Sequence, residues 1–253
     1  MGRSEDEHRA RAVSFGAVAE VYDRSRPEYP LDAVRWLVGP GPKRVADVGA
    51  GTGKLSRVLL AAGHEVVAVE PSEPMLARLH DAVPTAAGVR AGGEVLPLAD
   101  ASVDAVTYAQ AWHWVDPVAA SAEAARVLRP GGVLGLVWNL RRTDDPLGAG
   151  LAELIGEEDA KASRPWAEEI VVGPQFAPLE AADFPNAQRL TREELVGLVA
   201  SRSYVALMAS DERQVLLEEV AALHDRLAVE GLATLRYHTS AHRARLTGAT
   251  PWW

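Results

Sequence analysis

From Lys43 to about Asn139, short apolar runs alternate with longer segments of helical periodicity, and few folds satisfy that order. The apolar runs are Arg44 to Val48, Glu65 to Glu70, about Ala86 to Ala91, Val103 to Ala109 and Val133 to Trp138. Helices are predicted between them over Lys54 to Ala62, Glu73 to Asp81 and Pro117 to Leu128. Strands alternating with helices in this way build a parallel sheet covered on both faces. Because each crossover must be right-handed, a doubly wound α/β sheet is the economical topology. The 253 residues and 27.1 kDa suit one large domain, or a core with an embedded subdomain, able to bury its own core.

The flanks divide the chain into three stretches: 1–42, 43–140 and 141–253. Ala10 to Val21 reads as helical, and Arg24 to Pro30 reads as extended because each proline biases its predecessor away from helix. Asp144-Asp145-Pro146 marks a boundary. Thr191-Arg-Glu-Glu194 has capping-box form and opens a helix to about Arg202. A further helix is predicted from about Asp211 to Val229, and Thr234 to Tyr237 reads as a closing strand.

Composition excludes several kinds of chemistry. Lys+Arg 26 against Asp+Glu 35 gives a formal charge of −9, which repels phosphate backbones and argues against nucleic acid. The chain has no cysteine, so a cysteine nucleophile, a thiolate metal site and a disulfide framework are all excluded. Met1 to Arg11 is charged and polar, without the apolar stretch of a signal peptide or a membrane span, and a cytoplasmic location is expected. His238 and His242 have the four-residue spacing of helix-borne zinc ligands, but Thr239 stands where the glutamate of H-E-x-x-H belongs, and no metal is expected.

The most informative segment is Val45-Ala-Asp-Val-Gly-Ala-Gly-Thr-Gly-Lys54, a strand ending in a turn with three glycines that leads into a helix. Glycines permit positive φ and bring backbone N–H groups close to a ligand at the carboxyl edge of such a sheet. A phosphate-cradling G-x-x-x-x-G-K-S/T loop fails here, since its first glycine falls at Val48 and its hydroxyl at Leu55. A dinucleotide G-x-G-x-x-G fingerprint fails too, because Gly49 and Gly51 place the third glycine at Lys54. Glu70, at the end of the next strand, occupies the acidic position that accepts ribose hydroxyls in nucleoside-binding α/β folds.

Asp47, Gly49, Gly51 and Gly53 together resemble the first motif of class I S-adenosylmethionine-dependent methyltransferases. The resemblance continues through Glu70-Pro71-Ser72, Gly92-Gly93-Glu94-Val-Leu-Pro97, Ser102-Val-Asp104 and Arg126-Val-Leu-Arg129-Pro-Gly-Gly132. It is similar to the small-molecule, type 11-like group and covers about residues 10 to 140. The resemblance implies a Rossmann-like, mostly parallel seven-stranded sheet with a helical lid over 1–42 and a helical acceptor-binding insertion within 141–253. It also implies S-adenosyl-L-methionine as cofactor and a small organic molecule as acceptor of a methyl group on oxygen, nitrogen or carbon. The glycine turn would wrap the methionine part, and Asp47 would serve its ammonium, directly or through water, unless it only caps the next turn. Glu70 would take the ribose, while Pro71, Ser72 and Met75 flank the adenine. The acid usual before the Glu94 region is replaced by Gly92 and Gly93, which passes recognition of the adenine amino group to Glu94 or a backbone carbonyl.

After the fourth strand comes Tyr108-Ala-Gln-Ala-Trp112-His113-Trp114-Val-Asp116-Pro117. In the family this strand end faces the methyl group. Gln110 is assigned to the cofactor, and Trp112 and Trp114 to the acceptor unless they are core aromatics. His113 is the candidate catalytic base or acceptor-orienting group, since an imidazole titrates near neutral pH. In the lid, Tyr22 and Arg26 are assigned to the methionine end, with Arg26 suited to pair its carboxylate. Trp166 and Tyr204 are assigned to the acceptor pocket by placement alone. Two rival readings remain: a nicotinamide dehydrogenase on a Rossmann core, and a cofactor-binding protein that performs no methyl transfer.

Overall fold

The computed structural model describes residues 26–163 and 170–247. The helix expected over Ala10 to Val21, the side chains Tyr22 and Trp166, and the terminal tryptophans lie outside them. The elements are α1 Leu31–Val38, β1 Arg44–Val48, α2 Lys54–Ala61, β2 Glu65–Val69, α3 Glu73–Ala82, β3 Ala87–Val89 and β4 Val103–Ala109. A 3₁₀ turn, Trp112–Trp114, precedes α4 Pro117–Val127 and β5 Leu128–Arg141. The chain continues through α5 Pro146–Ser163, β6 Glu180–Leu190, α6 Arg192–Ala200, α7 Ser203–Ala206, α8 Ser210–Leu227 and β7 Ala233–Arg245. Gly156 interrupts α5 with a non-helical backbone (φ 64°, ψ −159°).

The strands form one seven-stranded sheet in the order β3-β2-β1-β4-β5-β7-β6. β1 pairs in parallel with β2 and β4, β2 with β3, and β4 with β5. β7 runs against the others, antiparallel to β5 on one side and to β6 on the other, so that β6 points the same way as β5. Arg142 N donates to Arg236 O and Leu246 N to Gly132 O, while Ala177 N donates to Arg245 O. The expected doubly wound, mostly parallel sheet is what the chain forms. Central strands are short and apolar because both faces are covered, and the β1 burial pattern is buried from Val45 through Val48.

The sequence reading missed β6. Its residues alternate exposed and half-buried, it carries Pro185, and it lies at the sheet edge, where a proline costs no ladder bond. β7 is far longer than the four residues expected. Its buried positions include Ala233, Thr239 and Ala241, small or polar residues that leave little apolar signal. His238 and His242 therefore sit on a strand, where four residues span about 13 Å, too far for one ion. Among the described residues no cluster of three His, Cys, Asp or Glu is poised for a metal.

Two compact units share the chain. One holds Glu28–Asn139 with 170–185 and 239–247; the other holds 140–163 and Asn186–His238, with Arg26 and Pro27. The boundary expected at residue 42 thus falls at residue 28. α1 is the reason: Val34, Leu37 and Val38 are buried with Val45, Leu55, Leu59, Leu79 and Val133 in the core of the first unit. Gly135 of β5 is needed there, since an added Cβ would meet Leu37 Cγ at 2.7 Å. The second unit has its own core of Leu147 and Leu151 from α5, Leu195 and Leu198 from α6, Val220 and Leu223 from α8, and Leu235 and Tyr237 from β7. Thr191 caps α6 in the full reciprocal capping box read from the sequence. No helix among the described residues is long and apolar enough to cross a membrane.

Candidate active site

The glycine turn is folded by three positive φ values, 67° at Gly49, 57° at Gly51 and 87° at Gly53, a conformation that costs other residues free energy. The three glycines serve different ends. A Cβ on Gly49 would lie 2.6 Å from Ala111 Cβ, so this glycine lets the turn touch the chain that leaves β4. Gly53, the residue before α2, packs against Val83 and Leu79, at 2.9 and 3.1 Å from a virtual Cβ. Gly51 has nothing within 4 Å of such a carbon and borders open space. Backbone bonds from Gly49 N and Ala50 N to Val69 O hold the turn against the end of β2.

Glu70 is placed where the sequence reading put it. Its Oε2 accepts from Gly51 N at 2.8 Å and its Oε1 from Ser72 N at 2.8 Å, which ties the carboxylate to the middle of the glycine turn. A carboxylate has about four acceptor positions, so both oxygens keep capacity for a diol. Burial raises the Glu70 pKa, and the two N–H donors oppose that rise. Beside it, Ser72 Oγ is buried and has no hydrogen-bond partner among the described residues. A buried orphan hydroxyl next to a carboxylate with spare acceptors, facing a turn that leaves space at Gly51, is a donor set that fits a ribosyl group. Met75 is half-buried on α3, and Pro71 is exposed with its carbonyl accepting from Arg90.

Asp47 is fully buried, with Oδ2 accepting from Ser56 Oγ at 2.6 Å and Oδ1 from Thr107 Oγ1 at 3.3 Å. Through these bonds Asp47 braces β1 against α2 and β4. Burial is the leading cause that pushes its pKa up to about 7, against the two hydroxyl donors, with the Glu70 charge adding to the rise. The sequence reading missed Ser56 and Thr107. The signal available was a polar residue inside each apolar pattern, Thr107 in β4 and Ser56 on the buried face of α2.

Gln110 follows β4 with φ 56°, an uncommon value for a residue with a side chain and one that concentrates at functional turns. Its amide donates to Asn139 O at 3.1 Å. Glu94 Oε1 accepts at 3.1 Å from the backbone N–H of Asp116, the N-cap of α4. Of the two glycines that stand where the acid is usual, Gly93 admits no side chain, since an added Cβ would lie 2.9 Å from Val115, 3.1 Å from Tyr108 and 3.3 Å from Val48, whereas one on Gly92 would meet only Glu94 Oε2, at 3.3 Å.

The two tryptophans separate in role. Trp112 is 6% exposed, packs edge-on against Tyr108 at 4.8 Å and donates its indole N–H to Val171 O at 3.1 Å. It anchors a segment that Gly173 N also ties down by donating to Ser121 Oγ. Its assignment to the acceptor is corrected to the core reading. Trp114 is 58% exposed. Trp112→Phe is expected to keep the ring contact, lose about 1–2 kcal/mol with the hydrogen bond, and speed amide exchange at Gly173. Exchange at Gly173 unchanged from wild type would count against this tether.

His113 is exposed between them, its ring 4.8 Å from Trp114, and loss of hydration to the surrounding protein pushes its pKa down to about 4. The imidazole is neutral at pH 7. Arg26 is half-buried, and Tyr204 is half-buried against the core of the second unit.

Comparison with known proteins agrees with this geometry. A family model described as a methyltransferase domain matches residues 46–136. An uncharacterized methyltransferase of Mycobacterium tuberculosis is 42% identical over 243 residues, covering 94% of this chain and 98% of the relative. An uncharacterized methyltransferase-like protein of Schizosaccharomyces pombe is 34% identical, covering 87% and 90%. Among solved structures, a candidate type II methyltransferase from Anaeromyxobacter dehalogenans superposes with a TM-score of 0.66 at 28% identity, covering 87% of this chain and 98% of that one.

Proposed function

Because this chain belongs to the methyltransferase family and is an S-adenosylmethionine-dependent enzyme, we propose that its acceptor is a small organic molecule and that the turns after β1, β2 and β4 hold donor and acceptor together. The observation that carries the placement is Glu70, whose two oxygens join the glycine turn to the start of α3 while keeping acceptor capacity for a ribose diol. When bound, the cofactor supplies a methyl group already activated by its sulfonium. What remains for the protein is alignment, exclusion of water and disposal of any proton the acceptor loses.

In this reading the glycine turn presents backbone N–H groups, Ser72 Oγ joins Glu70 at the ribosyl end, and Met75 and Pro71 border the base. Glu94, half-buried beside the third-strand loop, stays on the adenine side. Gln110 fixes the turn between donor and acceptor. Trp114, the exposed aromatic of the β4 turn, supports an acceptor with an apolar body. His113, neutral across the working range, is better suited to orient an acceptor hydroxyl or amine than to take its proton strongly. The nicotinamide reading and the reading without methyl transfer are not favoured.

Glu70→Ala is expected to weaken binding of S-adenosylhomocysteine by about 1.5–3 kcal/mol, the worth of hydrogen bonds to a charged group. Calorimetric titration of wild type and variant with S-adenosylmethionine, its demethylated product and NAD is the test. Unchanged affinity in the variant would remove Glu70 from the site, and tighter binding of NAD by the wild type would overturn the placement of the ribosyl group.

A further inference from the structure

The amino edge of the sheet carries a cavity that the site described above does not use. Its volume is about 500 Å³, in the range of small-molecule pockets. Arg35 and Trp36 of α1, Pro40 and Pro42 of the loop before β1, Ala62 at the end of α2 and His64 just ahead of β2 line it. The glycine turn and Glu70 follow the opposite, carboxyl ends of the same two strands. Each strand has five residues, so roughly 15 Å of sheet separates the cavity from the cofactor end.

The lining is rigid and mostly apolar. Pro40 and Pro42 fix φ at alternate positions of the loop. Trp36 is clamped by its neighbours: the Arg243 guanidinium lies 4.3 Å from its ring centroid, Arg243 Nη1 donates to its carbonyl at 2.6 Å, and the Phe184 ring is 6.2 Å away. His64 is the polar exception. It is 7% exposed, and its Nδ1 is buried without a hydrogen-bond partner among the described residues. Such an orphan carries a free-energy cost that a bound polar group removes. Burial, and after it the charge of Lys43, lowers the His64 pKa, so the ring is neutral at pH 7, with one nitrogen that donates and one that accepts. The fixed charges around the cavity oppose one another. α1 and α2 both end at it, at Gly39 and Ala62, with the negative ends of their dipoles, while Arg35 and Lys43 bring positive charge. A charged ligand of either sign therefore gains little.

We propose that this cavity is a second small-molecule site, separate from the methyl-transfer site, and that it takes a planar, uncharged aromatic molecule with a single hydrogen-bonding group, of the phenol type. The ligand ring packs among Trp36, Pro40, Pro42 and Ala62, and its polar group bonds to His64. A flat ring suits walls already held in place, since neither side has much conformational freedom to lose on binding.

The test is a titration of the full chain, labelled with nitrogen-15, with phenol, cyclohexanol and benzoate, followed by its amide and imidazole resonances. Phenol is expected to shift the amides of Trp36, Gly39, Ala62 and His64 saturably, with a Kd of about 1–10 mM, and to move the His64 ring nitrogens. Cyclohexanol lacks the flat ring and benzoate is charged, so both should bind about 3- to 10-fold more weakly. His64→Leu should weaken phenol by a similar factor of about 3 to 10, the worth of one hydrogen bond. Ala62→Leu, at a half-exposed position, fills the cavity and abolishes binding; should His64→Leu fail to fold, Ala62→Leu decides alone. Saturating S-adenosylhomocysteine should leave the phenol shifts in place. No saturable shift at these four amides in wild type overturns the proposal, as do equal affinities for phenol and cyclohexanol, undiminished binding by Ala62→Leu, or displacement of phenol by S-adenosylhomocysteine.

Discussion

Gly49→Ala is expected to destabilise the protein by about 2–5 kcal/mol, combining the left-handed backbone cost of a side chain with overpacking of a filled contact. The backbone sits at φ 67°, and the new methyl would lie 2.6 Å from Ala111 Cβ, an atom that a side-chain rotation cannot move. Relief requires separation of the turn after β1 from the chain after β4, the two segments that the proposed site brings together. Urea denaturation measures the loss. Gly51→Ala is the matched control: its φ is 57°, but nothing lies within 4 Å of the added carbon. That variant should lose only about 1–2 kcal/mol of stability, yet bind S-adenosylhomocysteine much more weakly, because its methyl enters the open space. If the two variants lost stability equally and both bound ligand normally, the turn would be neither the packing hinge nor the cofactor cradle described above.

The second large effect is the pH dependence set by Asp47. Its ordinary carboxyl value is 3.8 and burial raises it to about 7 in the folded protein. The folded state then holds the proton more tightly than the unfolded chain. Stability from this group is greatest below pH 4, falls as pH rises toward 7 and levels off above it, by up to roughly 4 kcal/mol for a shift of about three units. This is opposite in sign to an aspartate held by a salt bridge. Asp47→Asn removes the titration while keeping a group that can bond to Ser56 and Thr107. Its stability relative to wild type should therefore improve from pH 4 to pH 8, measured by urea denaturation of both proteins across that range. A difference independent of pH would show that hydroxyl bonding to the carboxylate offsets its burial.

Much of the fold was legible because hydrophobic periodicity survives in short central strands. Val45 to Val48, Val66 to Val69 and Val103 to Val106 are apolar except at Asp47 and Asp104 since both sheet faces are covered, and the helices between them run close to their expected bounds. The same logic hid β6 and most of β7, strands of the antiparallel edge, where residues such as Ala, Thr, His and Pro serve a half-exposed surface. The assignment of 1–42 to a lid also separated α1 from its core. Val34, Leu37 and Val38 carry the helical spacing, but sequence order does not show which layer a helix covers.

Site chemistry divides in a similar way. Gly49, Gly51, Gly53 and Glu70 are legible because backbone conformation and acceptor count demand those residue types at those places. Asp47 and Trp112 were harder. A strand-ending aspartate suits an ammonium and a buried brace equally well, and an indole suits a ligand face and a core contact equally well. The deciding partners, Ser56, Thr107, Tyr108 and the Val171 carbonyl, are up to 60 residues distant in sequence.

By itself, the sequence determined the order of strands and helices, the triple-glycine turn and the acidic residue that follows it, because these depend on local periodicity and backbone geometry. Tertiary structure decided which polar side chains bond to the turn and which brace the strands beside it. Burial, hydrogen-bond partners and pKa come from residues distant in the chain: the packing around β1, with Thr107 of β4, sets the state of Asp47.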